Sequence, residues 1–313
     1  MATNTILFHY GAFQPIWQQQ GLLQAGPQIP DMPNGLSVTN PSVETLISAL
    51  QGRGIPLKGV LLNYSDPFLM RAAPLRGLKA WPGPRVLACG DLHHGLQPID
   101  SLATYLATES HDALLLTFNP ALLNEVRRRV SIPVRSLPST FFRYPSAITA
   151  KEQRLELLHV GSLGAHHPKR RELVTALNTR GRVPFRHATT NNAEEAAELY
   201  AQHEMILNVP LNHDLNHRFF EVMAAGVPQV VFGDKGLVGN HRALAERPDV
   251  FWASSIEKLE ALVLELFAKP DKLKSITVHP PAYLELKELL KAALSPEPSI
   301  THMSTINKPY LQS

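Results

Sequence analysis

The chain has 313 residues, more than a single doubly wound sheet uses and comfortable for two domains. Hydrophobic residues make up 44% and charged residues 18%, which excludes a disordered or fibrous chain and leaves enough apolar side chains for a core in each half. A net charge of +3 without a basic run gives no argument for a nucleic acid or a membrane surface as partner, and Cys89, the single cysteine, excludes an internal disulfide and a cysteine-based zinc site.

Met1–Tyr10 has no basic start, its apolar run is too short for a signal peptide, and no stretch of about 18 apolar residues follows, so a cytoplasmic protein without an integral membrane segment is expected. Short β-branched apolar runs then alternate with segments of helical period, the sequence sign of parallel sheets with crossover helices. The first half predicts a strand at Thr5–His9, a helix at Pro41–Leu50 capped by Asn40, and strands at Gly59–Leu62 and Arg85–Ala88. A helix near Ile99–Leu106, a strand at Ala113–Thr117, a helix at Ala121–Arg129 and a strand at Pro133–Ser136 follow. Between the first strand and helix, Gly11–Thr39 is rich in Gln, Gly and Pro and too long for an ordinary connection. It reads as a functional loop or a short irregular helix.

Phe142–Gln153, with Pro145, Ser146 and Thr149 among charges, is the best linker candidate. The alternation then starts again, with strands at Leu155–Val160, Phe185–His187, Met205–Val209, Gln229–Phe232 and Val250–Ala253. Helices are expected at Arg170–Thr179, Ala193–Gln202, Asn216–Ala225, Asn240–Glu246 and Ile256–Phe267, with a last one at Tyr283–Leu294 before a polar tail that has no core of its own. The predicted domains are 1–145, 154–280, and a segment 281–313 holding the last helix and tail. In open parallel sheets ligands bind beyond the carboxyl ends of the strands, so informative residues should follow strands.

The most informative stretch runs Leu207-Asn-Val-Pro-Leu-Asn-His-Asp-Leu-Asn-His-Arg-Phe-Phe-Glu-Val-Met-Ala-Ala-Gly-Val-Pro-Gln-Val-Val-Phe232. It resembles the donor-binding strand–loop–helix–strand unit of the GT-B glycosyltransferases called glycosyl transferases group 1, in the branch with Arg-x-Phe-Glu before a Met-Ala-x-Gly-x-Pro run. His159-Val-Gly-Ser-Leu-Gly164, followed by Lys169 and Arg170, resembles the start of that family's C-terminal domain. The resemblance covers the second half well and the first half in outline. It implies a GT-B α/β fold, two Rossmann-like domains facing a central cleft, and a glycosyltransferase moving sugar from a nucleoside-diphosphate sugar to a carbohydrate or other hydroxyl acceptor. Neither a metal nor a tightly bound cofactor is implied.

Carried over residue by residue, the resemblance assigns nucleotide-sugar binding to Gly11, Gly161, Ser162, Lys169, Arg170, Asn216, Arg218, Phe220 and Glu221. Candidate catalytic or sugar-positioning residues are Asp91, His93 and His94, after the Arg85–Ala88 strand, and His213 and Asp214. The retaining members carry a glutamate at the place where His213 stands, with Asp214 beside it, which leaves the stereochemistry of transfer open.

Elementary physics supports the same placement. Glu221 sits among Phe219, Phe220, Val222 and Met223, where an unpartnered carboxylate is costly, and a ribose diol would satisfy it while the helix N-terminus faces a diphosphate. The competing reading pairs Glu221 with Arg218 one turn earlier. Lys169, Arg170 and Arg171 oppose the dipole of the helix they open, which an anionic ligand explains better than a solvated turn does. A metal held by His213 and His217 would need a third ligand. Two other functions stay open: a non-catalytic nucleotide-sugar or glycan-binding protein on the same scaffold, and a sugar-nucleotide epimerase.

Overall fold

The computed structural model describes residues 5–14, 17, 21–92, 97–137, 143–146, 153–165, 167–211, 214–281 and 286–295. The chain forms two compact units, one of Met1–Arg143 with Tyr283–Ser313 and a second of Tyr144–Ala282.

In the first unit seven strands are all parallel: β1 (Thr5–Phe8), β2 (Leu22–Gly26), β3 (Gly35–Ser37), β4 (Leu61–Ser65), β5 (Arg85–Cys89), β6 (Ala113–Leu116) and β7 (Val134–Ser136). Their order is β3-β2-β1-β4-β5-β6-β7, so the winding reverses between β1 and β4, the point where such sheets bind ligands. Helices α1 (Val43–Gly52), α2 (Pro67–Ala72), α3 (Pro98–Thr108) and α4 (Leu123–Arg129) make the crossovers. One side of the core gathers Ile6, Phe8, Leu46, Leu61 and Trp81, another Leu87, Leu102, Leu114 and Val126.

Two departures from the sequence expectation have local causes. Gly11–Thr39 contributes two further strands, hidden because they are short and because β2 places a buried polar residue, Gln24, inside the sheet. Gly26 lets β2 run close to β1, since a Cβ there would fall 1.9 Å from the His9 carbonyl oxygen. The cap of α1 is Ser42, not Asn40: its side chain accepts from the Thr45 amide, while the Pro41 carbonyl accepts from the Arg76 amide and holds Pro41 outside the helix.

The second unit is a five-stranded parallel sheet of β8 (Arg154–Val160), β9 (Phe185–Ala188), β10 (His203–Asn208), β11 (Gln229–Phe232) and β12 (Val250–Ala253), ordered β12-β11-β10-β8-β9. Its reversal lies between β8 and β10. Around it run α5 (Pro168–Arg180), α6 (Ala193–Tyr200), α7 (His217–Ala224), α8 (Arg242–Ala245), α9 (Ile256–Phe267) and α10 (Pro270–Lys274). Helix α7 starts at Asn216, whose side chain accepts from the Phe219 amide, and ends at Gly226 with φ 74°, a conformation that favours glycine. Its fully buried Phe219 alone contributes roughly 1.5–3 kcal/mol of burial.

The last helix, α11 (Leu286–Leu294), joins the first unit. Leu289, Leu290 and Ala293 are buried, and Arg135 donates to the Ala292 and Ser295 carbonyls, closing the helix with a positive charge at its negative end. Among the described residues no helix is long and apolar enough to cross a membrane. Most of the linker candidate and the tail beyond Ser295 lie outside the described residues.

Candidate functional site

Two arginines meet beyond β8 and β10. Arg170 stands in the first turn of α5, only 7% exposed, and its Nη groups donate to the carbonyls of Ser162 and Val209, each at 3.3 Å, tying together the loops that leave the two strands. Arg218, in the first turn of α7, lies over the end of β8: a Cβ on Gly161 would come 2.5 Å from its Nη2, and Gly161 has φ 149°. Glycine is therefore required at 161 twice, for the backbone and for the guanidinium it carries. Burial, followed by the charge of Arg218, lowers the pKa of Arg170 to about 10, with Asp214 pulling the other way. The Nε atoms of both arginines are buried without a hydrogen-bond partner. Two crowded cations with unsatisfied donors are a costly arrangement that an anion would relieve.

Beside them sits the carboxylate of Glu221, half-buried on α7. Its direct partner is Tyr200, whose hydroxyl donates to Oε2 at 3.1 Å, and Arg218 acts on it through its charge. Burial raises the Glu221 pKa against both of these influences. Burial also raises Tyr200, with the Glu221 charge adding to it. His159, at the end of β8, is fully buried and donates from Nδ1 to the Leu207 carbonyl at 2.9 Å. Burial first, then Arg218, keep its ring neutral well below the ordinary range. His187 stacks on it at 5.8 Å and meets the Gly161 carbonyl at 2.7 Å.

Gly161, Arg170, Arg218 and Glu221 are thus brought to one corner by three elements that are distant in sequence. Asn216 caps the helix that carries two of them. Phe220 is 3% exposed and stacks on Tyr144 at 6.2 Å, while Tyr144 Oη meets His217 Nδ1 at 2.8 Å, so its ring holds the chain where it enters this unit. Ser162 is exposed and its Oγ accepts from the Gly164 amide at 3.1 Å. Lys169 is exposed in the same turn as Arg170. Asp214, 3% exposed, accepts the Leu211 amide at 2.7 Å and shapes the loop before α7. His93, His94 and His213 lie outside the described residues.

In the first unit Asp91 follows β5, half-buried, and Asp66 follows β4, capping α2 through the Leu69 amide. Both carboxylates act on Tyr64, whose hydroxyl burial already pushes up, and on the buried Cys89 thiol. Gly11 is exposed after β1. Tyr200, His187 and His9 carried no sequence signal of a role, since each is a single residue at the end of a predicted helix or strand.

The second unit carries most of the one family match. Residues 146–279 match the family described as "Glycosyl transferase-like". Across both units the fold matches sucrose-phosphate synthase from Thermosynechococcus elongatus, with a TM-score of 0.53 and 14% identity over 98% of each chain. An alpha-glucosyltransferase solved with UDP-glucose and DNA containing an abasic site matches at a TM-score of 0.53 and 11% identity, over 94% of this chain and 100% of that one. Likeness at such identities establishes the architecture, GT-B with two Rossmann-like parallel-sheet units, as the sequence resemblance implied. No curated protein sequence is significantly similar to the chain. The arginine corner and Glu221 fall inside the residues that match this family.

Proposed function

We propose that the protein is a glycosyltransferase that takes its sugar from a nucleoside-diphosphate donor and passes it to a hydroxyl of a carbohydrate or similar acceptor. The observation that carries this reading is the pair of buried, unpartnered Nε donors of Arg170 and Arg218 beyond β8 and β10. A diphosphate supplies the acceptor oxygens that the Nε atoms of both arginines lack, and arginine favours such contacts in bidentate geometry. The amino end of α7 adds its partial positive charge. Glu221, steadied by Tyr200, is the acceptor for a ribose diol.

In the transfer, the bond between the anomeric carbon and the diphosphate oxygen breaks, and a bond from that carbon to the acceptor oxygen forms. The acceptor proton leaves with a base or with the departing phosphate. Charge builds on the leaving diphosphate, where two preorganised guanidinium groups stabilise it most. They provide positive charge that a divalent cation supplies elsewhere, so this reading needs no metal and no tightly bound cofactor.

Incubating the full chain with a panel of UDP- and GDP-sugars, UDP-glucose first, and mixed sugar acceptors tests the proposal. Nucleotide release coupled to a new glycoside is expected. An isomerised donor sugar would make the chain an epimerase, and binding without turnover of any donor would make it a binding protein; either overturns the reading.

A further inference from the structure

Beyond β1, at the reversal point of the first sheet, a hydrogen-bond chain fixes the state of one imidazole. Gln24 on β2 is fully buried, and its side-chain amide is oriented by the Gln14 backbone: the Gln14 amide donates to Oε1 at 2.9 Å and Nε2 donates to the Gln14 carbonyl at 2.8 Å. The oxygen Oε1 is therefore the atom that faces His9 Nε2 at 3.2 Å. A carboxamide oxygen only accepts, so Nε2 of His9 carries the proton. Trp17 closes the ring edge-on at 4.8 Å and also contacts Tyr64 at 6.2 Å. His9 itself is 2% exposed and kept neutral by that burial.

With the proton on Nε2, Nδ1 holds a bare lone pair, and among the described residues no donor meets it. An acceptor without a partner in the chain is open to a donor from outside it. The nearest atom to a Cβ built on Gly11 is His9 Nδ1, at 3.5 Å, and Gly11 is exposed. The missing side chain at 11 leaves room for one small donor group against the lone pair. The same end of the sheet carries carboxylates, Asp66 after β4 and Asp91 after β5, which disfavour an anionic ligand there.

We infer that His9, locked as the Nε2–H tautomer by Gln24, accepts a hydrogen bond at Nδ1 from a hydroxyl of an uncharged polyhydroxyl ligand that enters over Gly11. The ligand's identity as the sugar acceptor rests on the proposed glycosyltransferase reading; the tautomer and the opening do not. Gln24 is a positioning residue, acting through His9.

The test is imidazole NMR on the full chain labelled with ¹⁵N-histidine at pH 7, with His9 assigned by His9→Gln. The neutral Nε2–H tautomer is expected, with a bare Nδ1 whose resonance moves on titration with at least one of methyl glucoside, methyl galactoside, methyl mannoside or glycerol. Gly11→Ala sets a methyl group where the hydroxyl would sit, on a backbone that tolerates it, and should weaken that response about five- to tenfold, the worth of one hydrogen bond. Gln24→Leu should let the Nδ1–H tautomer appear; if it fails to fold, the wild-type tautomer and Gly11→Ala still decide. A wild-type Nδ1–H ring, no response to any of the four probes, or a response as strong to glucose 6-phosphate as to the methyl glycosides overturns the inference. UDP and GDP are titrated in parallel: a chain that binds either one but shows no His9 response sinks this inference alone, and a His9 response without binding of either sinks the donor reading alone.

Discussion

The two reversal points are built on the same topology and carry opposite chemistry. Beyond β8 and β10 stand two arginines with unpartnered buried donors; beyond β1, β4 and β5 stand a neutral imidazole with an unpartnered acceptor and the carboxylates of Asp66 and Asp91. Parallel strands create the crevice in both units, and side-chain charge alone decides what each can hold. One corner is short of negative oxygen, and the other is short of a hydroxyl proton.

Removing the charge at one corner should leave the other intact. Replacing Arg170 and Arg218 together by alanine should lower UDP or GDP affinity by about a hundredfold or more, since hydrogen bonds to charged groups are worth about 1.5–3 kcal/mol each. Calorimetry on the double variant measures this, and sugar-induced shifts at His9 should persist. Equal loss at both sites would erase the distinction.

Acid acts on both regions. Burial lowers the pKa of His9 and His111 in the first unit and of His217 in the second from 6.5 to about 4. Between those values the unfolded chain binds protons that the folded chain refuses, so stability falls as pH drops from 6.5 toward 4 and is level above it. Each ring accounts for about 3 kcal/mol of that loss. Denaturant titrations across this range should show the slope, and His9→Gln should reduce it by one ring's share. An unchanged slope would mean that His9 is charged in the fold.

Glu221→Ala should cost donor affinity about tenfold while the melting temperature stays close to wild type, because the side chain is half-buried and its partner Tyr200 keeps its packing. Since the Glu221 pKa is raised, ribose binding through the carboxylate should be lost at higher pH than for an ordinary glutamate as acid is added. Tyr200→Phe is the smallest change, about threefold to fivefold weaker binding through a less firmly held carboxylate. Equal binding by Glu221→Ala and wild type would restrict this corner to phosphate alone.

The fold was legible where elements are long or strongly apolar. Alternating strands and helices announced two parallel-sheet units, and Asn216 and Gly226 marked the ends of α7. Strands β2 and β3 escaped because one holds Gln24 in its interior and the other is only three residues long. At the arginine corner the motif named Gly161, Arg170, Arg218 and Glu221, since they follow strand ends. Tyr200 could not be read because it reaches Glu221 from a separate helix, and the state of His9 depends on the orientation of a glutamine amide fixed across two strands.

The most direct test of the account is a crystal structure of the full chain with whichever of UDP and GDP binds more tightly. Phosphate oxygens within about 3 Å of the Arg170 and Arg218 nitrogens, with the ribose hydroxyls on Glu221, are expected. A nucleotide seated elsewhere, or arginines that turn to protein carboxylates and leave the diphosphate untouched, would contradict it.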